Sequence, residues 1–491
     1  MSTEAASRAA RIGRGLGWSL TGNVALRFGN VAVSILMARL IAPDELGVFA
    51  VALTIWAILG TLAEFGLGAD LVRASDPERR APTVASLGVL ISAILALSMV
   101  LAAGPLAAAF RSPESRGVIV VMALGIAVFG FSIVPAARLQ REFRQGTLFA
   151  VNGAGLLASA LVMTTLALRD VGPAALAWGQ VANQVVVVLG LHLATRSRPR
   201  FGLDREIARA SLAFCLPLAL ANLVSWALLS IDNLIVARVL GPGELGLYLL
   251  AFNVSSWPMS AVGQALRVVA LPGFAQVADP GERNRALLRS VAPAAAVAAL
   301  MGLTLATLAG PLVAVLYGER WSGAAAALTG LAVFGALRVL LDLVATFLIA
   351  IGATTAVLAV QVLWMAALVP AMYVGLAGFG LAGAGWSHVV VTVAVVIPAY
   401  GVCLRRAGVD TGAFLRAGLV PLAVAVPAAA ACWWAGARSG PPLLVLVLGC
   451  LVALAAYALP LGSWWLRRIN DLRRPDAHRP DPVRLTRGST T

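Results

Sequence analysis

The chain has 491 residues, 60% of them hydrophobic and only 12% charged, with a mean hydropathy of +0.90. A soluble protein carries about a quarter charged residues, so a water-soluble domain is excluded and an all-α polytopic membrane protein is expected. The net charge is +15 and all 37 basic residues are arginine.

Fourteen apolar runs are long enough to cross a bilayer: about 16–40, 45–71, 84–109, 117–137, 146–168, 171–195, 211–236, 245–271, 288–317, 322–350, 353–376, 380–404, 414–436 and 441–466. The first follows Arg8, Arg11 and Arg14 in the manner of a signal peptide. It is too long for an h-region and lacks a convincing cleavage site, so it is expected to remain as a span. Sorted by the connection each lies in or borders, arginines alternate from side to side, 27 against 7. The positive-inside rule then places both termini in the cytoplasm. The basicity reflects topology and contact with anionic membrane lipids, and no nucleic-acid partner is expected.

Residues 38–49, ARLIAPDELGVF, are echoed at 237–248, ARVLGPGELGLY, with Ala, Arg, Pro, Glu, Leu and Gly shared at six positions. Asn23 falls on Asn222 in the same register. The offset is six spans, an even number, so both copies have the same topology. The expected architecture is two pseudo-symmetric six-helix lobes, 1–210 and 211–410, with an appended helix pair at 411–466 and a disordered cytoplasmic tail at 467–491. The two copies lie in turns between the first two helices of each lobe. Arg39 and Arg238 are expected to cap the helices preceding them.

Polar residues within the spans mark the candidate site. Span 1 carries Ser19, Asn23, Arg27, Asn30 and Ser34 at spacings of 4, 4, 3 and 4, one helical face. An arginine near mid-membrane costs about 2.5–3.5 kcal/mol, so this face must line protein or water. The alternative is a buried ion pair with Glu64 of span 2. Span 2 has Thr54, Thr61 and Glu64, and at the repeat offset Thr54 matches Asn253 and Thr61 matches Ser260. Span 6 holds Gln180, Asn183 and Gln184, read as interhelical hydrogen bonding. In span 7, Asp232 lies toward the outer end, where interfacial solvation competes with a cavity role. Span 8 has Asn253, Trp257, Ser260, Gln264 and Arg267 on one face; for Arg267 snorkelling is an equal alternative. Arg338 and Asp342 in span 10 sit at i, i+4, spacing for an intrahelical ion pair or a coupling carboxylate. His388 in span 12 is read as a packed histidine without a partner. Cys215, Cys403, Cys432 and Cys450 have neither metal nor redox spacing. There is no nucleophile elbow or phosphate-binding glycine loop. No catalytic residue, metal or cofactor is expected.

Several segments resemble a known family: ARLIAPDELGVFAVA (38–52), FGLGADLVR (65–73), RLQREFR (138–144), SIDNLIVARVLGPGELGLY (230–248), LPGFAQV (271–277) and LYGERW (316–321). The chain resembles the Wzx-type polysaccharide and lipopolysaccharide flippases of the multidrug/oligosaccharidyl-lipid/polysaccharide exporter superfamily, in particular the colanic-acid and teichuronic-acid exporters. The last third matches only in hydropathy. The resemblance implies fourteen helices, alternating access and a cytoplasmic-membrane protein that is not an enzyme. Its cargo would be an undecaprenyl-diphosphate-linked oligosaccharide, with a polysaccharide polymerase and glycosyltransferases as partners. Arg27, Asn23, Asn30, Arg267, Gln264, Trp257 and Asn253 are the candidate substrate contacts, and Glu64, Asp232 and Asp342 the candidate ion-coupling residues. Competing readings are a cation-coupled multidrug antiporter of the same superfamily and, more distantly, a membrane glycan polymerase or ligase.

Overall fold

A computed structural model describes residues 25–64, 66–196, 200–260, 270, 274, 277, 279–436 and 440–473, with the side chains at 217–218, 220–229, 420, 435–436, 458, 460–461 and 463–473 excepted. Asn23, Gln264 and Arg267 lie outside the described residues.

The described residues are helical almost throughout. In the first half the helices are α1 (25–40), α2 (Pro43–Glu64), α3 (Leu67–Arg73), α4 (Pro77–Leu101), α5 (Ala103–Ala109), α6 (Ser115–Phe129), α7 (Ile133–Arg141), α8 (Gln145–Ala167) and α9 (Ala174–Thr195). The second half contains α10 (Arg205–Leu240), α11 (Pro242–Ser255), α12 (Pro280–Thr307), α13 (Ala309–Leu316), α14 (Ala324–Ala350), α15 (Thr354–Val391), α16 (Ile397–Arg406), α17 (Thr411–Gly436) and α18 (Pro442–Arg473). Each of the fourteen apolar runs overlaps one of these helices. Among the described residues, nine helical stretches are long and apolar enough to cross a bilayer.

Local chemistry sets the helix starts. Pro43, Pro77, Pro242 and Pro280 occupy first positions, where no backbone donor is needed. Asp76, Asp204 and Asp279 cap α4, α10 and α12 by accepting backbone N–H bonds. One element is less regular than its span suggests. At Gly380 the backbone of α15 takes φ 55° and ψ −139°, and Ser387 Oγ donates to Ala371 O at 2.9 Å. Sixteen residues of straight helix would separate those groups by about 24 Å. The chain therefore doubles back at Gly380, between the apolar runs 353–376 and 380–404.

Water does not drive helices together inside a bilayer, so close packing of small residues must. In the first half α8 packs on α9, and α6 on α2, α4 and α9; in the second α12 and α15 pack on α14, and α17 on α12 and α18. Between halves the main contact is α2 on α11, with α10 against α2. Exposed Leu97, Leu157, Leu193, Phe379 and Val426 cover the outside. In water such a surface would be an aggregation hazard; in lipid it is the required solvent contact.

α10 has 36 residues, about 54 Å, far longer than a hydrocarbon core of about 30 Å. The expected boundary after residue 210 falls within its first two turns. Those turns and the segment before them rest on the first half: Gly202 N donates to Ser86 Oγ and Asp204 N to Thr83 Oγ1, both at 3.1 Å. Ser211 Oγ donates to buried Asp70 at 2.7 Å, and Arg80 reaches both Asp70 oxygens at 3.2–3.3 Å.

Candidate functional site at the seam between the halves

The two repeated motifs meet. α2 begins with Pro43 and α11 with Pro242, and both helices close their first turn the same way: Leu46 N donates to Ala42 O at 3.0 Å and Leu245 N to Gly241 O at 3.2 Å. Gly47 of α2 lies directly against the carbonyl of Pro242, and Gly246 of α11 against the carbonyl of Pro43. At both sites a Cβ would overlap backbone, so the glycines are required by the approach of the two helices. The contact is reciprocal, because Pro43 aligns with Pro242 and Gly47 with Gly246.

The motif arginines continue the reciprocity. Arg39 Nε donates to Leu316 O at 3.0 Å and its Nη2 to Val315 O, at the C-terminal end of α13 in the second half. Arg238 Nη1 donates to Ala109 O at 3.1 Å, at the end of α5 in the first half. Each arginine caps a helix of the opposite half, which corrects the expectation that it caps the helix preceding it. Unpaired carbonyls and the negative end of the helix dipole explain the choice of guanidinium. A sequence signal for this exists: AGPL at 103–106, opening α5, recurs at 309–312, opening α13. In that second repeat Ala109 and Val315 are equivalent positions. Trp321, fully buried, donates through Nε1 to Ala38 O at 2.6 Å, and Arg320 donates to Arg39 O.

Deeper along the same seam, Arg27 Nη2 of α1 donates to Ser256 Oγ at 3.2 Å, just after α11. Arg27 lies 13 residues below the end of α1 and Ser256 14 residues below the start of α11, about 20 Å from the motif end in both cases. Among the described residues Arg27 makes no ion pair, so the alternative pairing with Glu64 is not formed. Glu64 is exposed and is the last residue of α2, at the far edge of the span. Asn30 and Asn253 are also exposed, with their amides bonded to Leu26 O and Leu249 O of their own helices. Thr61 and its match Ser260 likewise bond carbonyls four residues back, and Thr54 does so while buried. Trp257 is half-buried against the core.

A second polar group is sealed inside the second half. Tyr248 of α11 donates its hydroxyl proton to Asp232 Oδ2 of α10 at 2.9 Å, and the Tyr248 hydroxyl oxygen itself lies 3.0 Å from His388 Nε2 of α15. A tyrosine has one proton to give, so the oxygen accepts from Nε2–H. All three residues are nearly inaccessible. Asp232 is therefore not solvated at an interface, and His388 is not without a partner. His388 Nδ1 has no hydrogen-bond partner among the described residues, and the Phe334 ring lies 4.8 Å from the imidazole. Arg338 acts electrostatically on both Asp232 and His388. Arg338 and Asp342 on α14 are half-buried, and both are engaged in interactions. At the repeat offset Asp232 and Tyr248 correspond to Val33 and Phe49, so the first half has no such group at these positions. The sequence missed the cluster because His388 lies 140 residues beyond Tyr248. Among the described residues no group of acidic, His and Cys side chains is arranged to hold a metal ion, and the four cysteines are free thiols.

The protein is an all-helical multi-pass membrane protein whose two halves meet chiefly through α2 and α11. Solved structures share the fold. "Lipid II flippase MurJ, inward closed conformation" superposes with a TM-score of 0.73 at 12% identity, covering 93% of this chain and all of that one. A multidrug resistance MATE family transporter of the MOP superfamily, inward-facing, gives 0.63 at 18% identity over 77% of this chain and 94% of the other. Residues 36–326 match the family described as "Polysaccharide biosynthesis protein"; the chain belongs to that family of Wzx-like transporters and is not an enzyme. It is 29% identical over 321 residues to the succinoglycan biosynthesis transport protein ExoT of Rhizobium meliloti, 63% of each chain. It is 24% identical over 332 residues to the lipopolysaccharide biosynthesis protein WzxC of Escherichia coli, 66% of this chain and 67% of the other. The chain thus spans less than two thirds of the Rhizobium relative's length.

Proposed function

We propose that the protein is a flippase that turns an undecaprenyl-diphosphate-linked oligosaccharide from the cytoplasmic to the outer leaflet during surface-polysaccharide synthesis. In this reading fourteen spans form two six-helix lobes, 1–210 and 211–410, with 411–466 appended as a helix pair against which the lipid tail stays in the bilayer. The arginine-rich end and both termini face the cytoplasm, and the motif end faces out. Glycosyltransferases supply the cargo and a polymerase consumes it.

The observation that carries the reading is Arg27. It sits within the span, at the seam between halves, bonded to a serine of the opposite half and, among the described residues, to no carboxylate. A guanidinium placed there is costly unless it serves an anion, and a diphosphate offers the bidentate, charge-assisted contacts it favours. Asn23, Asn30, Asn253, Trp257, Gln264 and Arg267 complete the proposed contacts, with amides and the indole suited to sugar hydroxyls and ring faces. A drug antiporter would place its carboxylate in the cavity. Here the best-formed one, Asp232, is closed off by Tyr248 and His388.

Coupling is assigned to that sealed group, where uptake of a cation by Asp232 would compete with the Tyr248 bond; Asp342 and Glu64 are the further candidates. Arg27→Ala should insert normally yet abolish export and accumulate the lipid-linked intermediate; wild-type export in that variant refutes the assignment. In proteoliposomes under imposed proton or sodium gradients, Asp232→Asn should lose the gradient response. A response equal to wild type removes Asp232 from coupling.

A further inference from the structure

A cavity of about 480 Å³ opens at the arginine-rich end of the first half, away from the seam. Its mouth carries Arg138, Arg196 and Arg200 with one carboxylate, Glu78. Arg138 Nη2 holds both Glu78 oxygens at 2.8 Å, so that pair is already neutralised. Arg196 and Arg200 make no ion pair among the described residues. His192 at the rim bonds Val188 O through Nδ1 at 2.9 Å, which leaves Nε2. The mouth is therefore net positive by two charges.

Below the mouth the lining becomes apolar. Glu78, Pro82, Ala85 and Val89 follow one face of α4, and Phe131 and Val134 stand opposite. From Glu78 to Val89 the trough runs about 16 Å, half of a hydrocarbon core of about 30 Å. The side wall is built: Phe201 meets Phe131 edge-on at 6.3 Å, and the bonds of Gly202 and Asp204 to Ser86 and Thr83 pin the strand that bears it. The pattern continues outside, where Arg205 and Arg209 stand above exposed Leu212 and Leu216 on one face of α10.

A positive rim over an apolar trough one leaflet deep is the shape of a lipid with an anionic head. We propose that this trough holds one anionic glycerophospholipid of the cytoplasmic leaflet. Its phosphate lies between Arg196 and Arg200, and one acyl chain runs along Ala85, Val89 and Val134. The depth selects an ordinary acyl chain over a C55 polyprenyl chain, and the excess charge selects an anionic head over a zwitterionic one. The leaflet rests on the orientation proposed above; the binding itself does not.

The test uses the full-length purified protein in detergent, with lipid binding read by native mass spectrometry, independent of transport. Phosphatidylglycerol should bind at least tenfold more tightly than phosphatidylcholine of the same chains. Arg196→Gln/Arg200→Gln should reduce phosphatidylglycerol to the phosphatidylcholine level. Ala85→Trp, which fills the trough and spares the arginines, should weaken both lipids, and it carries the test if the double variant does not fold. Equal binding of the two lipids, or unchanged binding in Ala85→Trp, overturns the proposal. So does displacement by undecaprenyl diphosphate at lower concentration through the same arginines, which would make the trough a cargo site.

Discussion

At the motif end the two halves mirror each other. Arg39 binds the end of α13 and Arg238 the end of α5, while Gly47 and Gly246 each admit the other half's proline carbonyl. In the interior the mirror fails. The first half brings Arg27 to the seam, and the residue aligned with it in the second half is Trp226; the second buries Asp232 and Tyr248, which align with Val33 and Phe49 of the first. The difference separates two physical demands. A surface where two copies close on each other must stay self-complementary, as in any isologous contact. Residues behind it face no such partner and are free to specialise, one half with Arg27 and the other with a buried carboxylate.

The sharpest way to break the mirror is at its glycines. Gly47→Val and Gly246→Val each drive a side chain into backbone that cannot yield, so each should abolish export and leave the motif end open to a water-soluble thiol reagent at a cysteine introduced beside it. Because the contact is reciprocal, the two effects should be equal; loss in one variant alone contradicts the symmetry. The arginines should be unequal. Arg39 bonds two carbonyls and is itself held by Arg320, whereas Arg238 bonds one. Hydrogen bonds to charged groups contribute about 1.5–3 kcal/mol each. Arg238→Gln should therefore lower the closed population roughly tenfold and Arg39→Gln more, read by distance measurements between spin labels on the two halves.

The smallest effect lies at the opposite end of the seam. Asp204 accepts backbone bonds from Ile207 and Glu206 with Arg79 beside it, and these hold its carboxyl below the usual carboxylate range, the Ile207 bond foremost. A depressed folded value favours the ionised form. Its stabilisation is complete above the unfolded value near 3.9 and fades as pH falls through the folded one. Asp204→Ala should be less thermostable than wild type at neutral pH, with the gap narrowing below about pH 4. A gap that widens on acidification contradicts the capping role.

Much of this was legible in the sequence, for physical reasons. A bilayer forces each long apolar run into a helix without help from its neighbours, so the elements could be read run by run. Duplication was visible because two corners that close on each other must each keep the proline, glycine and arginine of the contact. Arg27 stood out because an arginine placed within a membrane span is costly. What escaped depended on contacts between distant segments. The repeat showed that two corners exist but not that they touch, and Arg39 and Arg238 look like local caps until α13 and α5 are brought across the seam. His388 reads as solitary until Tyr248 approaches, and nothing local to Asp70 tells that Arg80 and Ser211 enclose it. The AGPL pair at 103 and 309 was the one long-range signal left unread.

The closing of the two motif copies on each other is most directly tested by joining them. Gly243 lies against the Asp44 carboxylate, so Asp44→Cys/Gly243→Cys, in a chain with Cys215, Cys403, Cys432 and Cys450 replaced, places two thiols across the contact. If this contact must open for cargo to leave, oxidation will arrest export and reduction will restore it. Export at the unlinked rate by fully cross-linked protein would contradict it.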